Sequence, residues 1–223
     1  MKLSDINEAI SQIKLSFVSK LDKKIPSWSL QAGLTCPGSI CPDTGEVKPS
    51  CKSCYAKKGN YTYPAAKNQR DHNKKDWKRE DWVDDMVQIM GDYGRFRWFD
   101  SGDIYHPKLA EKIYTVIKRT PWITHWLPTM SHNVPKIAPW IDKIEQLPNA
   151  VVRRSSGNVD GNFGSEHGST IIDKKTAQKW LAGEGKPKDV EVCPVGSTPD
   201  RKSCDGCRKC FDKKTKTIAY IKH

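Results

Sequence analysis

The sequence predicts an α/β protein: a partial (β/α) barrel or open parallel sheet, with a cysteine-rich N-terminal loop and a cysteine-rich C-terminal extension. Three observations predict it. Helical and strand-like patterns alternate from about residue 75 to residue 152, in units of roughly 25–30 residues, the length of parallel β-α units. Each strand candidate of that run ends in a polar loop. All eight cysteines fall into two quartets, Cys36, Cys41, Cys51 and Cys54 near one end and Cys193, Cys204, Cys207 and Cys210 near the other.

Taken in order, residues 4–20 place Ile6, Ile10, Ile13, Leu15 and Val18 at helical spacing, with Ser4 or Asp5 as cap. Pro26 stops anything helical. Trp28 and Leu30 alternate with serines as a short strand would, ending at Gly33. The first quartet follows in a loop whose Pro37, Pro42 and Pro49 exclude a long helix. An aromatic and basic stretch, KKGNYTYPAAKNQR, comes next. From about 75 to 90, Trp77, Trp82, Met86, Ile89 and Met90 form a helical face closed by Gly91 and Gly94. Phe96 to Phe99 reads as a buried strand. Residues 107–119 form a helix with Pro107 in the first turn, and Pro121 breaks it. Ile123 to Leu127 is a strand, 135–147 a helix with Ile137, Trp140, Ile141 and Ile144 inward, and Ala150 to Val152 a further strand. Residues 156–170, rich in Gly, Ser and Asn, read as a long loop. A small helix over 173–182, a basic linker over 183–190 and a strand over 217–221 complete the chain. The expected division is a barrel-like domain over 1–182, with its cysteine loop at 36–54, and an extension over 183–223 packed on it.

Right-handed crossovers leave the strand C-termini on one edge, where parallel sheets collect their ligand sites. That edge carries Asp100, Ser101, Gly102 and Asp103 after one strand, Thr129, Ser131 and His132 after the next, and Arg153, Arg154 and Ser155 after the third. Asp100, Asp103, Ser131, His132 and Arg153 are the candidate catalytic groups. Ser101, Gly102, Thr129 and Ser155 are the candidate cofactor-binding ones. His106, in a neighbouring loop, is another acid–base candidate.

The chain has 223 residues, of which 36% are hydrophobic, and a mean hydropathy of −0.70, which fits a modest core helped by metal staples. A net charge of +12 and a pI near 9.3 favour anionic partners: nucleic acid, nucleotide or acidic protein. No apolar run approaches the ~18 residues of a membrane span, and the N-terminus lacks a signal peptide's apolar stretch. The expected setting is therefore the cytoplasm, with no membrane partner. Thiols stay reduced there, so Cys-x-x-Cys spacing points to metal or redox work rather than disulfides.

The second quartet spaces Cys204, Cys207 and Cys210 three residues apart, with Cys193 remote and followed by proline. One turn of backbone can present three such thiolates to three irons of a [4Fe-4S] cluster, as in bacterial ferredoxins. Zinc sites more often pair two Cys-x-x-Cys knuckles. Spacing thus favours iron–sulfur over zinc here. Judged alone, the first quartet suits either. Cys36 and Cys41 are also followed by proline, and a protein matured with one cluster can be matured with two. The six histidines form no H-x-x-H or H-E-x-x-H pair.

The stretches TCPG with Cys41, CKSCYAKKGNY at 51–61, FRWFDSGDI at 96–104, WLPTMS at 126–131, VVRRSS at 151–156 and the C-terminal CDGCRKCF resemble a phage family known as gene product 88. The resemblance covers most of residues 28–211 and implies a phage or prophage origin and work in the host cytoplasm. More distantly, the layout is similar to that of radical S-adenosylmethionine enzymes. Those have a partial (β/α) barrel and a cluster loop after the first strand, ending in an aromatic-flanked cysteine. Here Cys51, Cys54 and Tyr55 follow a predicted first strand, and Ser101-Gly102-Asp103 follows the second. That similarity implies S-adenosylmethionine as a cofactor. The departure is that the superfamily uses a three-cysteine C-x3-C-x2-C loop, which leaves one iron open, whereas this loop offers four. If all four ligate, no iron is open; if Cys36 or Cys41 stands off, an open iron returns.

Three functions follow as expectations. The first is a radical-SAM-like enzyme with two [4Fe-4S] clusters, acting on a nucleotide or nucleic-acid-related substrate and fed by an electron donor such as ferredoxin or flavodoxin. The second is a non-catalytic two-cluster electron-transfer or redox-sensing protein. The third is a zinc-stapled nucleic-acid binder, with Lys52, Lys57, Lys58, Arg70, Lys74 and Lys75 contacting phosphate and Tyr55, Tyr61 and Tyr63 stacking on bases.

Overall fold

A computed structural model describes residues 12–17, 25–161, 168–204 and 206–222. Its frame is one sheet of eight strands in the order β1-β2-β3-β4-β5-β6-β8-β7. The strands are β1 (Ser16–Phe17), β2 (Pro26–Trp28), β3 (Arg95–Trp98), β4 (Thr124–Thr129), β5 (Ala150–Ser155), β6 (Gly168–Ile172), β7 (Val190–Val192) and β8 (Thr217–Ile221). Only β1 runs antiparallel; all other pairings are parallel. The C-terminal ends from β2 to β7 therefore share one edge, as expected. Among the described residues the sheet is open, with β1 and β7 at its margins. Residues 183–223 add β7 and β8 to this same sheet.

Six α-helices are described: α1 (Pro49–Lys52), α2 (Pro64–Asp76), α3 (Trp82–Met90), α4 (Pro107–Arg119), α5 (Ala138–Glu145) and α6 (Lys174–Leu181). The helix α4 spans the predicted residues: Pro107 opens it, and the His106 ring caps it by accepting from the Lys108 amide at 3.1 Å. The helix predicted over 75–90 is two elements. Its apparent period runs on because Trp77 and Trp82 both reach the core, but the chain turns between them, where Arg79 pairs with Asp76, Asp81 and Asp85. The aromatic and basic stretch before it contains α2, started by Pro64. Residues 16–17 are extended, not helical, and most of the helix predicted over 4–20 lies outside the described residues. The strand β6 begins within the loop predicted over 156–170, and β7 starts at the last residue of the linker predicted over 183–190.

Strand alternation divides the residues between two faces. On the outer face Trp28, Phe96, Trp98, Leu127 and Val152 are buried with Met86 and Met90 of α3, Leu109, Ile113, Val116 and Ile117 of α4, and Ile141 and Ile144 of α5. A second cluster continues that face under α6, with Ala219, Ile221, Val190 and Val192. The inner face carries other chemistry. Register sets Ser27 beside Arg97, Arg97 beside Trp126, and Pro128 beside Arg153, with Tyr220 beside Ile171 further along. Among the described residues Trp126 is packed by Ile25, Phe211 and the half-buried Cys204, Cys210 and Tyr220.

Candidate metal centre

The first cysteine loop starts where β2 ends and is pinned across the C-terminal edge of three strands. At β3, the Leu30 amide donates to Ser101 O at 3.0 Å and the Ser101 hydroxyl donates to Leu30 O at 2.5 Å. Gly102 has φ +75°, and a Cβ there would lie 2.7 Å from Leu30 Cβ and O and from Thr35 Oγ1. Only glycine lets this turn press against the segment that leads into Cys36. At β4, a Cβ on Gly38 would lie 2.2 Å from Met130 O. At β5, the Ser50 amide donates to Gly157 O at 2.9 Å.

Along this path Cys36, Cys51 and Cys54 come near enough for their charges to act on one another. Burial, with the charges of Asp103, Cys51 and Cys54, pushes the Cys36 thiol up to about 12. Burial likewise raises Cys51, with Cys54 and Asp103 adding to it, and Cys51 Sγ lies 3.9 Å from Met130 Sδ. Cys41 departs from them. It sits at the base of a small hairpin, its amide donating to Glu46 O at 2.7 Å and its carbonyl accepting from the Gly45 amide at 2.9 Å, beside the Ile40–Val47 bridge. Hydrogen bonds from Thr44 and the Asp43 backbone, all within this turn, hold its pKa down.

Polar residues of the same edge lie beneath. The Asp103 carboxylate accepts from Thr129 Oγ1, the Met130 amide and the Ile104 amide, each at 2.7 Å. Burial still pushes its pKa up to about 6 against those bonds. Thr129 Oγ1 accepts from the Ser131 amide at 3.0 Å, and the buried Ser131 hydroxyl has no hydrogen-bond partner. Asp100 accepts from the Ser29 hydroxyl and, at 3.3 Å, from Tyr61, while Tyr55 donates to its carbonyl at 2.6 Å. Phe99, a non-glycine residue at φ 56°, carries the chain from β3 into this turn, a costly backbone state that packing must hold in place.

The second quartet lies over the inner face. Cys193, Cys204, Cys207 and Cys210 all act on one another: Cys193 is pushed up to about 12 by burial and then by its three partners. The Cys210 thiol lies 3.2 Å from the Tyr220 hydroxyl. Arg153, fully buried, donates to the carbonyls of Lys209, Asp212, Thr215 and Lys216 and so ties this segment to β5. Arg97 stacks on Trp126 with its guanidinium 4.5 Å from the ring centroid, and Trp126 meets Phe211 edge-on at 5.5 Å. Three buried N–H groups here have no acceptor: Arg97 Nε, Arg153 Nε and Trp126 Nε1. Among the described residues, no three His, Cys, Asp or Glu side chains converge on a position for a single ion.

A [4Fe-4S] group fits this donor set. Bound by four thiolates it would be an anion rich in sulfur acceptors, and the orphaned donors, the buried Arg153 and the half-buried Arg97 answer both properties.

Of the predicted edge residues, the structure brings Asp103, Thr129 and Ser131 together beside Cys36 and Cys51, and Asp100 beside Tyr55. Ser101 and Gly102 fix the loop. His132 is half-buried with Nδ1 3.3 Å from Thr129 O; burial and the charges of Arg154 and Lys48 lower its pKa. Ser155 accepts from the Ser169 hydroxyl at 3.3 Å, on the inner face. Arg153 serves the second quartet rather than the first. Arg154 pairs with Asp142 and Glu145. Arg70 is buried and donates to Tyr61 O, Ala66 O and Ser101 Oγ, so it does not face a phosphate backbone. Sequence reasoning missed Arg97, Trp126, Met130 and Tyr220. The alternation Arg95-Phe96-Arg97-Trp98 was a signal for the first, since it puts a cation on the second face of a buried strand.

A family profile described as Gene product 88 matches residues 2–213. The chain belongs to that family. No curated protein and no solved structure matches it. Within this Gene product 88 chain, both cysteine groups and all the edge loops just described lie inside the matched span. No described helix is long and apolar enough to cross a membrane.

Proposed function

We propose that this Gene product 88 chain is an iron–sulfur enzyme of radical-SAM-like type. One [4Fe-4S] site is held by Cys36, Cys51 and Cys54, and a second by Cys193, Cys204, Cys207 and Cys210. The observation that carries this reading is the split of the first quartet, in which Cys41 turns into its own hairpin while Cys36, Cys51 and Cys54 act on one another. Three protein ligands on a four-iron group leave one iron for an exchangeable ligand. When bound, such a group supplies the electron that cleaves S-adenosylmethionine reductively. The chain's own part is to hold and orient. Asp103, Thr129 and Ser131 present polar atoms on the strand edge next to this loop. Exposed Lys52, Lys57 and Lys58 rim the loop and favour an anionic substrate of nucleotide or nucleic-acid type.

The test is anaerobic purification with iron, sulfide and zinc analysis. About eight irons and eight sulfides per chain support two cubanes. Cys41→Ser keeps that content, whereas Cys36→Ser loses about half. Adding S-adenosylmethionine changes the EPR signal of the reduced N-terminal cluster. If Cys41→Ser loses as much iron as Cys36→Ser and the signal ignores S-adenosylmethionine, the protein is a closed two-cluster carrier. Two zincs without sulfide overturn the iron–sulfur reading altogether.

A further inference from the structure

Arg97 occupies an unusual place. It lies on the inner face of β3, between Ser27 and Trp126 in register. Its guanidinium is stacked on Trp126, one NH2 group donates to the Tyr55 hydroxyl at 3.4 Å, and its buried Nε–H has no acceptor. Tyr55 directly follows Cys54 of the first thiol group and donates to Asp100 O at 2.6 Å. On its other side, the Trp126 ring on which Arg97 stacks is packed against Cys204, Cys210 and Tyr220 of the second group's surroundings. One cation thus stands between both cysteine sites. Burial works against that charge, and the nearby Asp100 carboxylate, together with the hydrogen bond to the Tyr55 hydroxyl, favours it. Its geometry is fixed by stacking and hydrogen bonding, so it acts as a preset charge rather than a mobile surface one.

We propose that Arg97 is a positioning residue shared by the two sites, which sets the reduction potential of the C-terminal cluster and links it to the N-terminal one. The inference rests on the iron–sulfur reading above. Reduction adds one electron, hence one negative charge, to a cluster that is already an anion. A fixed cation close by stabilises the reduced form more than the oxidised form and raises the potential. Its free Nε–H can also donate to sulfur, a known lever on such potentials. Arg153 supplies charge at the same site, but its other donors are spent on four backbone carbonyls of the covering segment. Arg97 alone of the two also reaches the N-terminal loop, through Tyr55.

The experiment is a dithionite titration with redox mediators, followed by EPR, on the full chain purified anaerobically. Wild type, Arg97→Gln, Arg97→Lys and the control Arg95→Met are compared. Arg95 lies on the same strand but is exposed. In Arg97→Gln the C-terminal cluster becomes harder to reduce by at least tenfold in the equilibrium, a fall of ~59 mV for one electron. The N-terminal signal shifts in the same direction. Arg97→Lys keeps the charge and recovers most of both potentials, and Arg95→Met changes neither. Iron-loaded Arg97→Gln with unchanged potentials overturns the inference and leaves the iron–sulfur reading intact. Should Arg97→Gln fail to load iron, Arg97→Lys decides: iron loading with near-native potentials supports the shared cation, and failure of the lysine variant overturns it. Zinc without sulfide in the wild type overturns the reading and the inference together.

Discussion

Acidification weakens this protein through His125, and the effect can be isolated. The ring is fully buried on the outer face of β4. Its Nδ1 accepts from Trp98 Nε1–H at 3.2 Å, which leaves the proton on Nε2, 2.8 Å from Thr120 Oγ1. That hydroxyl in turn donates to Val116 O at 2.8 Å. A second ring proton at Nδ1 would face the Trp98 N–H, donor against donor, in an apolar layer. Burial accordingly holds the His125 pKa down to about 3. The unfolded value is ~6.5, so the fold favours the neutral ring. Its contribution is complete above the unfolded pKa and is lost as pH falls from there toward 3, at ~1.36 kcal/mol per pH unit. Between pH 7 and pH 5 that amounts to ~2 kcal/mol. In His125→Gln the side-chain oxygen still accepts from Trp98 but nothing titrates. Urea unfolding of both proteins at pH 7 and pH 5 provides the measurement. Asp103 titrates in the same window with the opposite sign, but it is common to both proteins and cancels in the difference. Wild type should lose ~2 kcal/mol more than the variant, a midpoint difference of ~1 M at an m-value of ~2 kcal/mol/M. Equal pH slopes in the two proteins refute the assignment of His125 as a neutral buried ring.

Three further outcomes follow from the packing. Gly38→Ala drives a Cβ into the Met130 carbonyl, so the first loop lifts and iron analysis should show the N-terminal site emptied and the C-terminal one kept. Arg153→Met strips a charged donor from four carbonyls; each such bond is worth ~1.5–3 kcal/mol before non-additivity. The covering segment should then be cut within residues 200–216 by limited proteolysis well before wild type. Gly102→Ala combines a left-handed φ with contacts of 2.7 Å, and should cost more than ~1 kcal/mol, read as a melting temperature lower by at least ~2–4 °C at this chain length.

Much of the outer layer was legible because it obeys two simple periods. The helix over 107–119 has a proline start, a proline stop and apolar residues on one face, and it was readable to the residue. The strand over 217–221 was equally clear. Elements without a strong apolar signature were not. In α2 only Arg70, Asn73 and Asp76 are buried, so a hydrophobic pattern cannot reveal it; its register is held by polar anchors such as Asn73, which donates to Ser29 O at 3.0 Å. The strand β6 opens with Gly168 and Ser169, which read as loop residues. Both cysteine quartets stood out at once, yet their division did not. Pro follows Cys36 and Cys41 alike, and only the hairpin between Cys41 and Glu46 separates the two.

That separation and the inner-face placement of Arg97 and Arg153 have a common origin in the one-sided layering. With the helices of the β-α run on the outer face, the inner face needs another cover. A covering helix would bring an apolar stripe, but the described residues of the segment over 193–216 have mostly turns, a 3-10 turn at Lys209–Phe211 and few large apolar groups apart from Phe211. It holds the face by other means: Phe211 on Trp126, four carbonyls on Arg153, and Cys204 and Cys210 packed beside Trp126. Such a cover tolerates, and its thiols favour, charged residues underneath, which is why cations sit where a sheet under a helix would carry valine or leucine. The first loop approaches the same region from the strand edge, and Tyr55 brings it within reach of Arg97. Two cysteine groups far apart in sequence thereby flank the same half-buried cation, because one is carried on the inner face of the sheet and the other at its C-terminal edge.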